Sequence, residues 1–318
     1  MAPGGAYVAY QSDREVWFLD VRSGEMSPPV KRAATSGSWH PDGVRFVTAT
    51  DDSVAVLDPR NGDVMAERTM TVAPYREVDY GTDGRRLVLT VPSGVQMLDA
   101  ATLKTLGNPV RLDEVACQVS LGPGDTAVVV TGPAERLSDF YHATCTRWAL
   151  VDLGSGAVLE QGELPVSSPN HVEFSPDGRH AAVGTEFGEV FVLDLETGAP
   201  VRPPAAGHDG FVESLAYSPD GQRLLSAGTD SGVVVWEGAT GRLDSRVVAP
   251  ESFVTAGFGA DTDSVLISPA WGGPVYRWDT SVETALDFAC EAAGRDFTDE
   301  EWRQQFGDRP YEETCPGY

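Results

Sequence analysis

The feature that most constrains this chain is a repeat. The string Phe-Ser-Pro-Asp-Gly at 174–178 returns as Tyr-Ser-Pro-Asp-Gly at 217–221. Weaker copies stand at 39–43 (Trp-His-Pro-Asp-Gly) and 80–84 (Tyr-Gly-Thr-Asp-Gly), and degraded ones start at Leu121 and Phe258. Residues 1–5 fit the same template. A second line keeps the same period. Apolar runs end in an acid at Asp20, Asp58, Asp99, Asp152, Asp194, Glu237 and Asp279, with steps of 38, 41, 53, 42, 43 and 42 residues. A glycine follows four residues after the acid at Gly24, Gly62, Gly156, Gly198 and Gly241. Acid and glycine suit a tight turn, in which a polar side chain bonds local backbone and glycine takes positive φ.

Within one period the pattern alternates strands and turns. Over 211–238 it predicts strands at 211–217, 223–227 and 233–236, separated by turns at 218–221 and 229–232, with a more polar fourth strand at 243–248. The third strand is rich in β-branched residues. Four strands every ~42 residues make the blade of a β-propeller. The fold expected is therefore all-β: a seven-repeat propeller over 1–279, then a helical tail over 280–318 packed on it.

At this point the chain resembles the WD-repeat propeller family. The fullest copy carries Gly207-His208, Ser226, Asp230 and Trp236-Glu237. The resemblance implies that His208, Ser226, Asp230 and Trp236 form a hydrogen-bonded relay, which suits the cost of burying an unpaired imidazole or carboxylate. Leu19, Leu57, Leu98, Val151 and Leu193 replace the tryptophan in other repeats, and Trp278 keeps it in the last. In this family the anchor turn lies between the first and second strands of a blade. Blade 1 is thus expected to have strands at 7–10, 16–20 and 29–33 but no inner strand, and blade 7 strands at 253–258, 264–268 and 274–278. The two missing strands would be neighbours upstream of Met1. The chain then reads as the C-terminal part of a longer polypeptide; a six-blade core with ragged ends, or a ring closed by the tail, is the alternative. An open ring would expose strand edges.

The tail breaks the β pattern. Thr280 or Ser281 can cap a helix ending at Gly294, and Thr298 to Glu301 is a capping-box signature for a second helix that Pro310 would end. The strings Ala289-Cys290, 293–298, Glu301-Trp302, Phe306-Gly307, Pro310-Tyr311 and 314–316 resemble the C-terminal end of large actinobacterial regulators. In those, a WD-repeat array follows a signalling ATPase domain of the STAND class. The resemblance implies a C-terminal sensor whose partners are proteins or upstream domains of the same polypeptide. This sequence has no phosphate-binding loop of its own.

Charge excludes other partners. The chain carries 23 basic and 48 acidic residues, a net −25. Direct nucleic-acid binding needs the opposite sign, and anionic membranes repel such a chain. The basic residues are almost all arginine, Lys31 and Lys104 being the only lysines, as in the codon bias of a GC-rich genome. No apolar run approaches a bilayer span and no secretory signal is visible. Four cysteines do not make a disulfide framework, which makes a reducing cytoplasm the default. Cys290 and Cys315 bracket the tail, as a redox staple, a metal clip or two buried thiols.

No catalytic motif stands out, and neither a cofactor nor a resident metal is expected. The insertion at 132–147 holds Asp139, Tyr141, His142 and Cys145, with Cys117 in the same blade, which falls short of a zinc set. It can instead be a partner-binding loop or a plain surface loop. Pairs such as Asp51/Asp52 and Asp261/Asp263 are turn chemistry. The usual contact face of a WD-repeat ring places Thr50, Glu186, Phe211, Thr229 and Trp271 near a rim, with Phe211 and Trp271 as partner anchors against the alternative of packing between blades. The function expected is a non-enzymatic interaction and sensor propeller. A free-standing scaffold is the alternative, and an enzyme with a site in the central channel is a third reading, for which the sequence offers no convergent acids, histidine or metal.

Overall fold

The computed structural model describes residues 1–12, 14–32, 36–71, 77–92, 94–133, 145–166, 168–259, 263–270, 272–307 and 309–315. Among them the strands form seven antiparallel sheets. Blades 2, 3, 4 and 6 have four strands each, and blade 5 splits its outer strand into Ala199–Pro200 and Ala205–Ala206. Blade 6, over Val212–Tyr217, Arg223–Gly228, Gly232–Glu237 and Leu243–Val248, follows the expected strands closely. Blade 1 has Tyr7–Gln11, Glu15–Asp20 and Val30–Lys31, and blade 7 has Val254–Phe258, Ser264–Pro269 and Tyr276–Asp279. Among the described residues the first sheet has no inner strand and the last no outer one.

The middle strands of a blade are covered on both faces, so Phe46–Ala49 and Ser53–Leu57 of blade 2 and residues 232–236 of the third strand of blade 6 are buried throughout. The outer strand has one face on solvent, and Leu243–Val248 alternates accordingly. Among the described residues six apolar clusters lie between successive blades. Val47, Val56, Leu87 and Leu98 join blades 2 and 3; Leu225, Val235, Val254 and Ile267 join blades 6 and 7. The seventh junction is made differently. Tyr10 and Ser268 hydroxyls meet at 2.9 Å, and the segment at Pro3–Gly5 packs on the inner strand of blade 7.

The repeated acids close the turns after the third strands. Asp20, Asp99, Asp152 and Asp194 each accept backbone N–H groups two or three residues on. Those bonds, and at Asp99 first of all the Thr102 hydroxyl, favour the ionised form and hold these carboxyls below their usual range. In blade 3 the glycine of the turn is replaced by Leu103, which takes φ 56 and is fully buried.

The tail forms two helices, α1 (Val282–Ala293) and α2 (Asp299–Phe306). Ser281 caps α1, and Gly294 ends it at φ 65. Thr298 and Glu301 make the reciprocal capping box of α2. Its stop is Gly307, not Pro310: the Gly307 N–H bonds back to the Arg303 carbonyl, so the helix closes before the proline is reached. Trp302 is buried against Phe297 and Tyr311.

Of the readings open for Cys290 and Cys315 the staple is the one found, and the expectation that the cysteines make no disulfide framework is overturned. All four cysteines are paired: Cys117 with Cys145 and Cys290 with Cys315, with Cα separations of 6.6 and 5.4 Å, inside the range a disulfide spans. The first bridge ties the inner strand of blade 4 to the entry of its third strand; the second ties α1 to the final strap, which Asp296 also holds through the Thr314 N–H and hydroxyl at 3.0 and 2.6 Å. With the cysteines paired, their number no longer argues for a reducing compartment.

Candidate functional site: the channel and the rim of blades 5 to 7

The relay residues meet in blade 6. Trp236 Nε1 donates to Ser226 Oγ at 2.8 Å, and Ser226 Oγ lies 2.7 Å from His208 Nε2. The ionised Asp230 can only accept, so Nδ1 carries the proton and donates to Oδ1 at 2.9 Å, and Nε2 accepts the Ser226 hydroxyl proton. Asp230 also accepts from the Asp209 and Gly232 N–H groups and from Arg246. Burial works to raise its pKa, and these donors together bring it below the usual carboxylate value. Burial lowers that of His208, whose side chain is fully covered. Gly207 has to be a glycine, because a Cβ there would strike the Trp236 ring. This network holds the loop before the inner strand against the turn between the second and third strands.

The inner strands place two polar rings around the channel. One contains Ser36, Glu77, Gln118, His171 and Ser214; the next contains Ser38, Asp79, Ser120 and Glu173. Side chains reach from each blade to the next. Ser36 and Gln118 donate to Glu77, and Ser38 and Ser120 donate to Asp79, which also accepts the Leu121 N–H at 2.9 Å. Ser120 in turn accepts the Phe174 N–H, and Ser214 that of Ala256. These acids are the convergent carboxylates that the sequence search did not find. Their side chains touch channel solvent at the tip while protein surrounds the rest. Desolvation pushes Glu77 up to about 7 and Glu173 well above the usual range, with the Asp79 charge adding to both. Desolvation also drives His171 down to about 4.

The sign of the Glu77 shift gives a test. A carboxyl raised from 4.5 to about 7 in the fold costs nothing below pH 4.5 and its full penalty above pH 7. Glu77→Gln is therefore expected to stabilise the protein by about 3 kcal/mol at pH 8 and to leave it unchanged near pH 4. Urea melts at the two pH values measure this; an equal change at both would refute the assignment. His171 acts in the opposite sense, removing stability as pH falls from 6.5 towards 4, and is common to both proteins.

At the mouth of the channel each inner strand of blades 4, 5 and 6 carries a β-bulge, at Cys117, Asn170 and Glu213. Bulges re-aim side chains at such rims. Around blades 5 to 7 the rim is tied by backbone bonds. Gly188 bonds the Gly207 and His208 N–H groups, Thr229 N–H bonds Phe211, Phe253 N–H bonds Thr229, and Ala270 N–H bonds Phe253. On it stand Phe187, Phe211 and Phe253, exposed by 65, 44 and 42%. Glu186 and Thr229 lie in its turns, half-buried, and Thr229 Oγ1 accepts the Phe211 N–H. Thr50 lies apart, in blade 2, bonded to Asp52 and Ser53. Trp271 is outside the described residues, as are Asp139, Tyr141, His142 and Asp261. Phe187 and Phe253 were not singled out from sequence. By repeat position Phe187 stands in blade 5 where Asp230 stands in blade 6, a signal that was available.

Among the described residues no group of three or more His, Cys, Asp or Glu could hold a metal ion, and no helix is long and apolar enough to cross a membrane.

The repeat and the seven-sheet ring support a WD-repeat propeller. Residues 202–237, which carry the relay of blade 6, match the family described as WD domain, G-beta repeat. Among named proteins the chain is similar to WD repeat-containing protein 1 of Bos taurus, 37% identical over 168 residues, covering 51% of this chain and 26% of that protein. It is also similar to Protein HIR1 of Yarrowia lipolytica, 32% identical over 142 residues, 38% of this chain and 13% of that one. The 66 kDa stress protein of Physarum polycephalum is 29% identical over 154 residues, 46% of this chain and 25% of that one. The aligned stretches span about a quarter or less of these relatives.

Proposed function

We propose that this chain is a non-enzymatic protein-interaction and sensing platform that docks partners on the rim of blades 5 to 7. The observation that carries the reading is the row of exposed phenylalanines, Phe187, Phe211 and Phe253, on a backbone-bonded rim. Aromatic side chains on a rigid surface contribute most to interfaces, since little entropy is lost in seating them. The channel acids fit a structural role better than a catalytic one: Asp79 uses both oxygens to tie three blades together. The test is a photo-crosslinking phenylalanine analogue at Phe211, with another at Val158 on the outer strand of blade 4 as control. Crosslinks to a partner in the native host are expected at 211 and not at 158. The reverse pattern would sink the reading.

The wider setting proposed is the C-terminal sensing part of a bacterial signalling ATPase-type regulator, with partner binding relieving or imposing inhibition on upstream domains. The inner edge of Tyr7–Gln11, which pairs with no further strand among the described residues, supports it, because another polypeptide segment can complete that sheet. The tail strings support it too, and a bond from Arg223 to Thr280 Oγ1 at 2.8 Å supports a tail packed on the propeller. An open reading frame upstream of Met1 that reaches a phosphate-binding loop is expected. A nearby stop codon would leave the free-standing scaffold instead. A cytoplasmic site, which the regulator setting implies, requires both disulfides to survive reducing conditions; titration of free thiols on protein taken from its host under alkylation decides the matter.

A further inference from the structure

Resting on the docking reading above, we propose that the rim of blades 5 to 7 takes a basic segment of a partner protein, with its apolar side chains against Phe187 and Phe211 and its lysines or arginines over the surrounding carboxylates. The segments 185–188, 207–213, 229–231 and 250–253 build this rim. They carry Glu186, Asp209, Glu213, Asp230 and Glu251 and no lysine or arginine. Arg246 reaches Asp230 from the outer strand and offsets one of these charges. By sequence these segments are acidic without a basic residue, within a chain whose net charge is −25, so the aromatic row lies in a negative field. A cation above a phenylalanine face adds its own attraction.

Charge also separates this partner from the rivals. Phosphate-bearing partners, whether nucleic acid or anionic lipid, are repelled by such a rim. A second copy of the chain would bring another acidic rim and a second large negative charge, which disfavours self-docking. Apolar contact alone would accept a segment of any charge; the carboxylates add selection by sign. Phe187 is free for this use because blade 5 lacks the relay. In blade 6 the matching position is Asp230, whose side chain is held by four donors.

The test uses the full chain and an array of synthetic peptides in which lysine and arginine are exchanged for aspartate and glutamate at constant phenylalanine and leucine content. Basic members are expected to bind and acidic ones not. The best binder is then titrated by fluorescence anisotropy against the double variant Phe187→Ala/Phe211→Ala and against Met65→Ala, an exposed residue on the outer strand of blade 2. The double variant should weaken binding at least about tenfold, Met65→Ala should leave it unchanged, and added salt should weaken it. Because all three residues are exposed, unchanged melting confirms that the variants fold. Equal binding of acidic peptides overturns the proposal. Basic binding insensitive to Phe187 and Phe211 also overturns it, while leaving docking elsewhere on the ring in place. An empty array with a productive crosslink at Phe211 overturns the basic segment and keeps the docking rim; an empty array without that crosslink removes both.

Discussion

Asp230→Ala is expected to destabilise the propeller by about 3–5 kcal/mol, the cost of removing one partner from a buried charged network. The loss has several parts. His208 Nδ1, inside a fully covered side chain, is left without an acceptor, and so are the Asp209 and Gly232 N–H groups. Arg246 loses its ion pair. The Trp236–Ser226–His208 chain then ends in an unsatisfied imidazole. Thermal melts of the variant beside Glu160→Ala, an exposed acid on the outer strand of blade 4, provide the comparison. Glu160→Ala should stay within about 0.5 kcal/mol of the parent. The double variant His208→Ala/Asp230→Ala should lose less than the sum of its parts, because each change already breaks the same chain. A loss for Asp230→Ala no larger than that for Glu160→Ala would show that the network does not hold the blade.

The second large effect concerns the two disulfides, which should behave differently. Cys117 and Cys145 lie 28 residues apart, and both are buried in the apolar cluster between blades 4 and 5. Opening that loop in the unfolded chain favours unfolding by about 3–4 kcal/mol in the chain-entropy account. Cys117→Ala/Cys145→Ala should therefore shift the denaturant midpoint of the whole ring. Cys290 and Cys315, 25 residues apart, close only the tail. Their replacement should free the final strap, expose Trp302 and leave the propeller midpoint in place. Far-ultraviolet dichroism and tryptophan emission, followed together through the denaturant series, separate the two. A common shift in both variants would mean that tail and ring unfold as one unit.

The repeat made the ring legible because its turns demand particular chemistry. Pro-Asp-Gly and the acid-to-glycine spacing recur where the chain must reverse, and the runs before the acids are apolar because third strands are covered on both faces. The helix caps at Ser281 and Thr298 were equally local and equally readable. The channel acids were missed although a pattern pointed to them. Two polar residues at alternate positions precede the anchor in four successive repeats: Ser36 and Ser38, Glu77 and Asp79, Gln118 and Ser120, His171 and Glu173. Alternation puts both on the face away from the blade core. Bulges at Cys117, Asn170 and Glu213 shift that alternation by one residue nearer the rim, so the sequence alone does not say which side chains reach the mouth. For the cysteines the sequence offered the Cys290–Cys315 staple among other readings without choosing it, and gave no sign of the Cys117–Cys145 bridge. The pairing depends on Cα separations across a folded blade and a folded tail, which composition does not contain.

A partner docked on the rim of blades 5 to 7 shields the backbone there, and hydrogen–deuterium exchange reads that shielding. The protein is compared alone and with the partner recovered by crosslinking. Added protection is expected in the segments 185–188, 207–213, 229–231 and 250–253, with the outer strands of blades 2 and 4 unchanged. Protection on those outer strands, with the rim exchanging as before, would contradict docking on the rim.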